Sequence, residues 1–249
     1  MQIENLDTQF DSNFNQLGQL KWFPWVGDLY ASSSEGSRLF FLGESCYDWG
    51  SSSAPERLKQ NTFTREMVGK SHGINPKSKE KFFRNMERAF YLKGKVSIDA
   101  RVKLWRSVCF HNLVLRPMAS VKQRPSLVDY IDGWKVFFTL AEITKPNVCI
   151  FAGTDWKKLH SFKEVARESD NVVMPQTWRK KVGRSRGSHL IVTTRRGHSF
   201  SVVFIKHPSM SFSWKMWGTF VREQLNQIES SPDILVSPAF PDQASAYMP

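Results

Sequence analysis

Four short apolar runs bounded by turn residues set the frame of the chain: Arg38 to Gly43, Asn147 to Gly153, His189 to Thr194 and Phe200 to Lys206. Their length and flanks predict strands, and Arg195-Arg196-Gly197-His198 between the last two predicts a hairpin turn. Elsewhere the apolar positions recur at helical spacing. Asn75-Pro76 predicts the start of a helix with Phe82, Phe83, Met86 and Phe90 on one face. Ser126 followed three residues later by Asp129 resembles a capping box, ahead of Tyr130, Ile131, Trp134 and Phe138, a stripe that reads as core. Lys145-Pro146 ends that helix, and a last one begins near Ser213 and buries Trp217, Val221, Leu225 and Ile228. The Asp11 to Gln19 stretch and everything after Pro232 lack periodicity. A single domain, 1–249, with loosely structured termini over about 1–20 and 232–249 is therefore expected.

Strands alternating with helices predict an α/β fold whose sheet is covered on both faces, with function at the carboxyl ends of the strands. The residues at those ends are Gly43-Glu44-Ser45-Cys46-Tyr47-Asp48, Gly153-Thr154-Asp155 and His207-Pro208-Ser209.

Charge narrows the partner. The chain of 249 residues carries a net charge of +12, which favours a partner with a dense negative field, nucleic acid being the simplest. Bases concentrate between Lys77 and Arg106 and between Lys157 and Arg196. Within the second zone Arg179, Lys180, Lys181, Arg184 and Arg186 crowd between Trp178 and Gly187, a run suited to phosphate contact. No apolar run is long enough to span a bilayer and the first residues are acidic, so a cytoplasmic protein with no membrane partner is expected. Cys46, Cys109 and Cys149 are scattered; they cannot supply a disulfide framework or an iron–sulfur cluster. No phosphate-binding glycine loop and no gathering of acids for magnesium occurs. No cofactor, no metal and a monomer are expected.

Three segments in order resemble the uracil-DNA glycosylase superfamily. Leu39-Phe40-Phe41-Leu42 running into Gly43-Glu44-Ser45-Cys46-Tyr47-Asp48 is similar to its first motif, a loop that holds the hydrolytic water and the base. Cys109-Phe110-His111-Asn112-Leu113 is similar to the base-reading segment of the single-strand-selective monofunctional branch, and Val203 to Ser209 resembles the second motif, a histidine followed by a duplex-wedging loop. The resemblance, from about Trp22 to Phe220, implies a three-layer α/β/α fold with a central, mainly parallel four-stranded sheet. It also implies a DNA glycosylase that flips a base and hydrolyses its N-glycosidic bond.

The residue types suit that chemistry. Cleavage develops positive charge on the sugar and negative charge on the departing base, so a carboxylate and a hydrogen-bond donor are both wanted. Glu44 and Asp48 are the candidate carboxylates, and His207 is the candidate donor. The family's usual acid position is Ser45 here, a base-pocket residue that cannot orient water as a carboxylate does. Asn112 carries the fixed donor and acceptor that read a pyrimidine edge. Tyr47 matches the aromatic that walls the pocket, and Phe63 lies where the family stacks the base. Ser209 and Ser211 suit phosphate contact, with Met210 or Phe212 as the wedge. The altered first motif suggests a pocket remodelled for something other than plain uracil, and the resemblance, through superfamily members with a defensive role, implies a modified pyrimidine such as hydroxymethylated or glucosylated cytosine in phage DNA, excised as antiviral defence. Plain uracil repair and a catalytically silent DNA-binding module are the alternatives.

Overall fold

The computed structural model describes residues 3–32, 38–47, 54–120 and 122–229. In chain order it forms α1 (Asp11–Asn15), β1 (Trp25–Val26), β2 (Leu39–Gly43), α2 (Ala54–Lys59), α3 (Phe63–Glu66) continuing into a π-helical turn (Met67–Ser71), α4 (Lys81–Tyr91) and α5 (Ile98–Arg106). There follow β3 (Val108–Asn112), α6 (Leu127–Thr144), β4 (Val148–Ala152), α7 (Trp156–Glu168), β5 (Val172–Val182), β6 (Ser185–Thr193), β7 (Ser199–Ile205) and α8 (Trp214–Glu229).

The strands make one sheet of seven in the order β1-β3-β2-β4-β7-β6-β5. The α/β expectation holds, but the four-stranded sheet does not. Four parallel strands, β3-β2-β4-β7, form its middle. The two-residue β1 pairs antiparallel on one side, and the β6–β5 hairpin extends the other. The strand read at His189 to Thr194 therefore belongs to the antiparallel extension, while β3 completes the parallel set.

Alternate residues of each strand enter opposite cores, as the period of two demands. Phe40, Leu42, Cys149, Phe151, Val202 and Phe204 pack with α6 and α7 on one face. Leu39, Phe41, Phe110, Ile150, Val203 and Ile205 pack with α4, α5 and α8 on the other. This two-sided burial explains why β2, β4 and β7 read as near-continuous apolar runs rather than alternating ones. Trp134 anchors the first core, its ring 4.9 Å from both Phe151 and Phe162.

Several boundaries follow local chemistry. Ser126 and Asp129 form the expected reciprocal capping box of α6, and Lys145 closes it in the left-handed conformation. The helix expected from Asn75-Pro76 instead begins at Lys81, because the Asn75 carboxamide accepts from Lys77 N–H and holds a turn while Glu80 caps the helix. The amino-terminal stretch is docked on the core. Phe14 on α1 is fully buried, and Asp11 is paired with the buried Arg65. Residues beyond Pro232 lie outside the described residues. No helix among the described residues is long and apolar enough to cross a membrane.

Gly133 shows how tightly α6 sits over the end of β3: a Cβ there would lie 2.2 Å from the backbone oxygen of Leu113. Alanine in a helix interior normally gains about 1 kcal/mol over glycine, yet overpacking costs about 1–3 kcal/mol. Gly133→Ala should lower the urea midpoint of unfolding, whereas Gly18→Ala, which meets nothing within 4 Å, should leave it in place.

Candidate functional site

The carboxyl ends of the parallel strands bring the candidate chemistry together. β2 and β3 end in register at Gly43 and Asn112. Beyond them the two chains stay paired, with Leu113 N–H donating to Gly43 O and Val114 N–H to Glu44 O, both at 2.9 Å. Met118 N–H then donates to Cys46 O, and Tyr47 forms a bridge with Met118. The loop after β2 is thus held as a short strand-like extension over the sheet's edge. Gly43 is required there, since a Cβ would come within 2.3 Å of Asn112 Oδ1; the Asn112 carboxamide lies across the space a side chain would fill.

Glu44 is buried beside Asn112, with two donors on Oε1: the Tyr130 hydroxyl at 2.7 Å and Lys158 Nζ at 2.7 Å. Burial alone would raise its carboxyl, but the Lys158 charge and the hydrogen bonds from Lys158 and Tyr130 outweigh that and hold it below the ordinary carboxylate value. Burial and the adjacent Glu44 charge push the Tyr130 hydroxyl well up, so it remains a donor. Lys158 reaches the site from the first turn of α7 across Gly153, where a Cβ would meet its Cδ at 2.6 Å. Its backbone oxygen accepts from Trp134 Nε1 at 3.1 Å, and its Nζ lies 5.8 Å from the Tyr130 ring centroid.

His207 follows β7. Burial lowers its pKa to about 4, against the opposing pull of Glu44, so the ring is neutral at pH 7. Ser209 N–H donates to Nδ1 at 3.3 Å, which leaves the proton on Nε2 and makes that atom a neutral donor. α4 fixes this loop: the Phe82 ring lies 5.5 Å from His207, and Asn85 Nδ2 donates to Pro208 O at 2.8 Å.

The remaining candidates divide. Ser45 and Tyr47 are partly buried in the first loop. Phe63 packs at 5.1 Å on Trp22, in a small cluster with Cys46 and Leu58, so it stands beside that loop. Burial raises the Cys46 thiol to about 12, which removes it as a nucleophile. Asp48 lies outside the described residues. His111 is a structural anchor, its Nε2 2.8 Å from Trp22 O. In the loop after His207, Met210 is 53% exposed, whereas Phe212 stacks on Trp217 and packs against the core; Met210 is the free apolar tip. Ser209 is partly buried, and Ser211 is exposed with φ of 44°.

The basic run forms the tip of the β5–β6 hairpin, turning at Gly183 with φ of 58°. Ser188 lies opposite Phe204, so the tip projects past Ile205 at the carboxyl end of β7, the same end as His207. Lys181, Arg184 and Arg186 are exposed. Lys180 is tied to Glu223 of α8 at 2.9 Å, and Arg179, at a bulge, is partly buried. The run is therefore not uniformly free for phosphate. Among the described residues no group of His, Cys, Asp or Glu could hold a metal ion.

Sequence reasoning missed Lys158 and Tyr130. The one sits in a basic stretch that reads as solvated surface, the other in a helical stripe that reads as core. The only signal was their place, just after β4 and at the start of α6. No family model matches the chain, and no curated protein matches it.

A pH signature follows. His207 and the fully buried His189 both fall to about 4 from an ordinary 6.5. Between those values the unfolded chain binds protons that the folded one refuses, so stability is lost as pH falls from about 6.5 to about 4. His207→Gln should remove about one proton from this dependence, a reduction in slope of roughly 1.4 kcal/mol per pH unit, read from urea titrations across that window. An unchanged slope would show that His207 is not held neutral.

Proposed function

We propose that the chain is a monofunctional DNA glycosylase that flips a base and hydrolyses its N-glycosidic bond to leave an abasic site, acting on a modified pyrimidine such as hydroxymethylated or glucosylated cytosine. The observation that carries this reading is the placement, at the carboxyl ends of the sheet's parallel strands, of Glu44, ion-paired with Lys158 at 2.7 Å, and of His207, whose Nδ1 accepts from Ser209 N–H; against burial the Lys158 charge holds Glu44 low, and burial keeps His207 neutral. A carboxylate that stays charged offsets the positive sugar of an oxocarbenium-like transition state and accepts a hydrogen bond from the attacking water. Both protein donors reach Oε1, so Oε2 serves the water. A neutral imidazole N–H stabilises the oxygen of the base as the C1′–N bond breaks and the base leaves as an anion. Asn112, adjoining Glu44 through the Gly43 contact, reads the edge of the extruded base. Met210 fills the gap in the stack, and Lys181, Arg184 and Arg186 on the overhanging hairpin meet phosphates. The parallel quartet β3-β2-β4-β7 with helices on both faces supports the likeness to the uracil-DNA glycosylase superfamily.

One observation favours a second reading. Lys158 neutralises Glu44, and an ion pair of that kind also fits a silent module that binds DNA without chemistry. The same assay separates the two.

The protein is incubated with plain, uracil-containing, hydroxymethylcytosine-containing and glucosylated DNA, and free bases are sought by mass spectrometry. Release from at least one altered DNA, without added metal, is expected. Glu44→Gln and His207→Ala should each slow it by about a hundredfold or more, and Asn112→Ala should cost far more in turnover than in DNA affinity, which phosphates dominate. The rate should hold steady from about pH 6 to 8, where Glu44 is ionised and His207 neutral, and decline as pH approaches 4. Release of nucleotides, or of nothing, would sink the glycosylase reading.

A further inference from the structure

β2, β4 and β7 are parallel neighbours with β4 in the middle, so the chain that leaves β4 does so between the exits of the other two. Glu44 is the first residue past β2, and His207 is the second past β7. Gly153-Thr154-Asp155 is the corresponding exit of β4, and Asp155 caps α7. Lys158, the partner of Glu44, follows Asp155 by three residues, the helical spacing that puts two side chains on one face. Burial, Glu44 and then the Asp155 charge all raise the Tyr130 hydroxyl that donates to Glu44, so the Asp155 carboxylate acts on the same cluster.

That cluster lacks something its proposed reaction needs. Glu44 is negative, but Lys158 meets it at 2.7 Å, and Tyr130, Asn112 and the neutral His207 add no charge. Beyond burial and that ion pair, Arg124 and Glu80 act on the His207 ring with opposite signs. A centre whose charges cancel gives little field to hold a sugar as it becomes cationic. Asp155 differs from Glu44 on this point. It is exposed, it has no ion-pair partner among the described residues, and its hydrogen bond is the cap itself, Lys157 N–H to Oδ1 at 2.9 Å. Capping does not call for a carboxylate, since Asn and Ser cap as well as Asp.

The geometry points to Asp155 as a second catalytic carboxylate, one that lies against the sugar of the extruded nucleotide and supplies the negative charge that the Glu44–Lys158 pair lacks. The assignment rests on the glycosylase reading and names the group that stabilises its cationic sugar. As the C1′–N bond breaks, its electron pair leaves with the base, whose oxygen takes the hydrogen bond from His207 Nε2 and which gains its proton from solvent. Water then bonds to C1′ and gives its proton to the Glu44 carboxylate. Asp155 forms no bond and takes no proton; its charge lowers the energy of the cation between those steps.

The test needs no excisable base. DNA of one sequence carries at one position either a pyrrolidine abasic analogue, whose protonated ring amine imitates the cationic sugar, or the neutral tetrahydrofuran analogue. Binding of each to the full chain is followed by anisotropy. The parent should prefer the pyrrolidine DNA by about 10- to 100-fold, the scale of one charge contact near a protein surface. Asp155→Asn, which keeps the cap, should lose most of that preference and leave the urea midpoint of unfolding in place. Its affinity for the tetrahydrofuran DNA should hold or tighten, because a negative charge near phosphates has been removed. Asp155→Glu, which keeps the charge, should retain part of the preference. In the base-release assay Asp155→Asn should lower kcat by about a hundredfold with KM unchanged. No preference in the parent, a preference that survives Asp155→Asn, or parental turnover by that variant overturns the assignment. If the preference depends on Asp155 yet no base is released from any DNA, the cationic-sugar site stands and the glycosylase reading falls; if bases are released and Asp155→Asn behaves as the parent, only the role of Asp155 falls.

Discussion

Lys158 meets Glu44 at 2.7 Å with each side chain only 9% exposed, and that contact organises the upper edge of the molecule. Withdrawing two charges from water costs several kcal/mol per ion, recovered only when geometry and further hydrogen bonds are good. Here the Tyr130 hydroxyl completes the carboxylate and Gly153 leaves room for the lysine stem. The Trp134 indole holds the backbone from which Lys158 springs. The pair therefore ties three elements together: the loop after β2, the first turns of α6 and α7, and through Trp134 the centre of one core. Losing one partner would leave the other buried and unpaired, at a cost of about 3–5 kcal/mol. The pair consequently constrains stability as well as chemistry.

The sheet explains why this edge assembles the candidate polar groups. β2, β3, β4 and β7 are buried on both faces, so their flanks offer no room for solvated chemistry. Polar side chains can be afforded where the strands stop and the backbone turns outward. Glu44, Asn112 and His207 all stand within two residues of a strand's last position. On the opposite side of the sheet the buried polar groups are structural. Glu87 of α4, for example, accepts from Trp105 Nε1 at 2.8 Å and pairs with Arg84 at 3.0 Å.

How much of this the sequence disclosed depended on whether a pattern was local. β2, β4, β6 and β7 are runs of apolar residues between turn signals, and the α6 capping box is a four-residue signature; both are legible. β3 follows α5 after Ser107 alone and ends in His111 and Asn112, so neither a turn signal before it nor an unbroken apolar run marks it as a strand. β5 contains Pro175 and register shifts near Thr177, which hide an edge strand from any reading by alternation. In the site, Glu44 and His207 were legible because they directly follow recognisable strands. Lys158 and Tyr130 were not, because their roles depend on α6 and α7 packing together, a tertiary fact that no window of sequence contains.

The same topology turns an uneven charge distribution into an oriented one. The bases from Lys157 to Arg196 are contiguous in sequence, yet the fold divides them. The β5–β6 hairpin carries Lys181, Arg184 and Arg186 past the end of β7, while α7 carries Lys157, Lys163 and Arg167 down from the end of β4. β4 and β7 are neighbours in the sheet, so the two groups of cations begin at the same end of it, the end at which Glu44, Lys158 and His207 stand. Exposed apolar side chains stand at that end as well, Met210 in the loop after β7 and Trp156 at the head of α7. Cations alone would bind any polyanion in any register. Cations that stand at the same end of the sheet as a buried carboxylate and a neutral imidazole give that end a directed positive field, one whose orientation is set by the strand order and not by the sequence of the basic run.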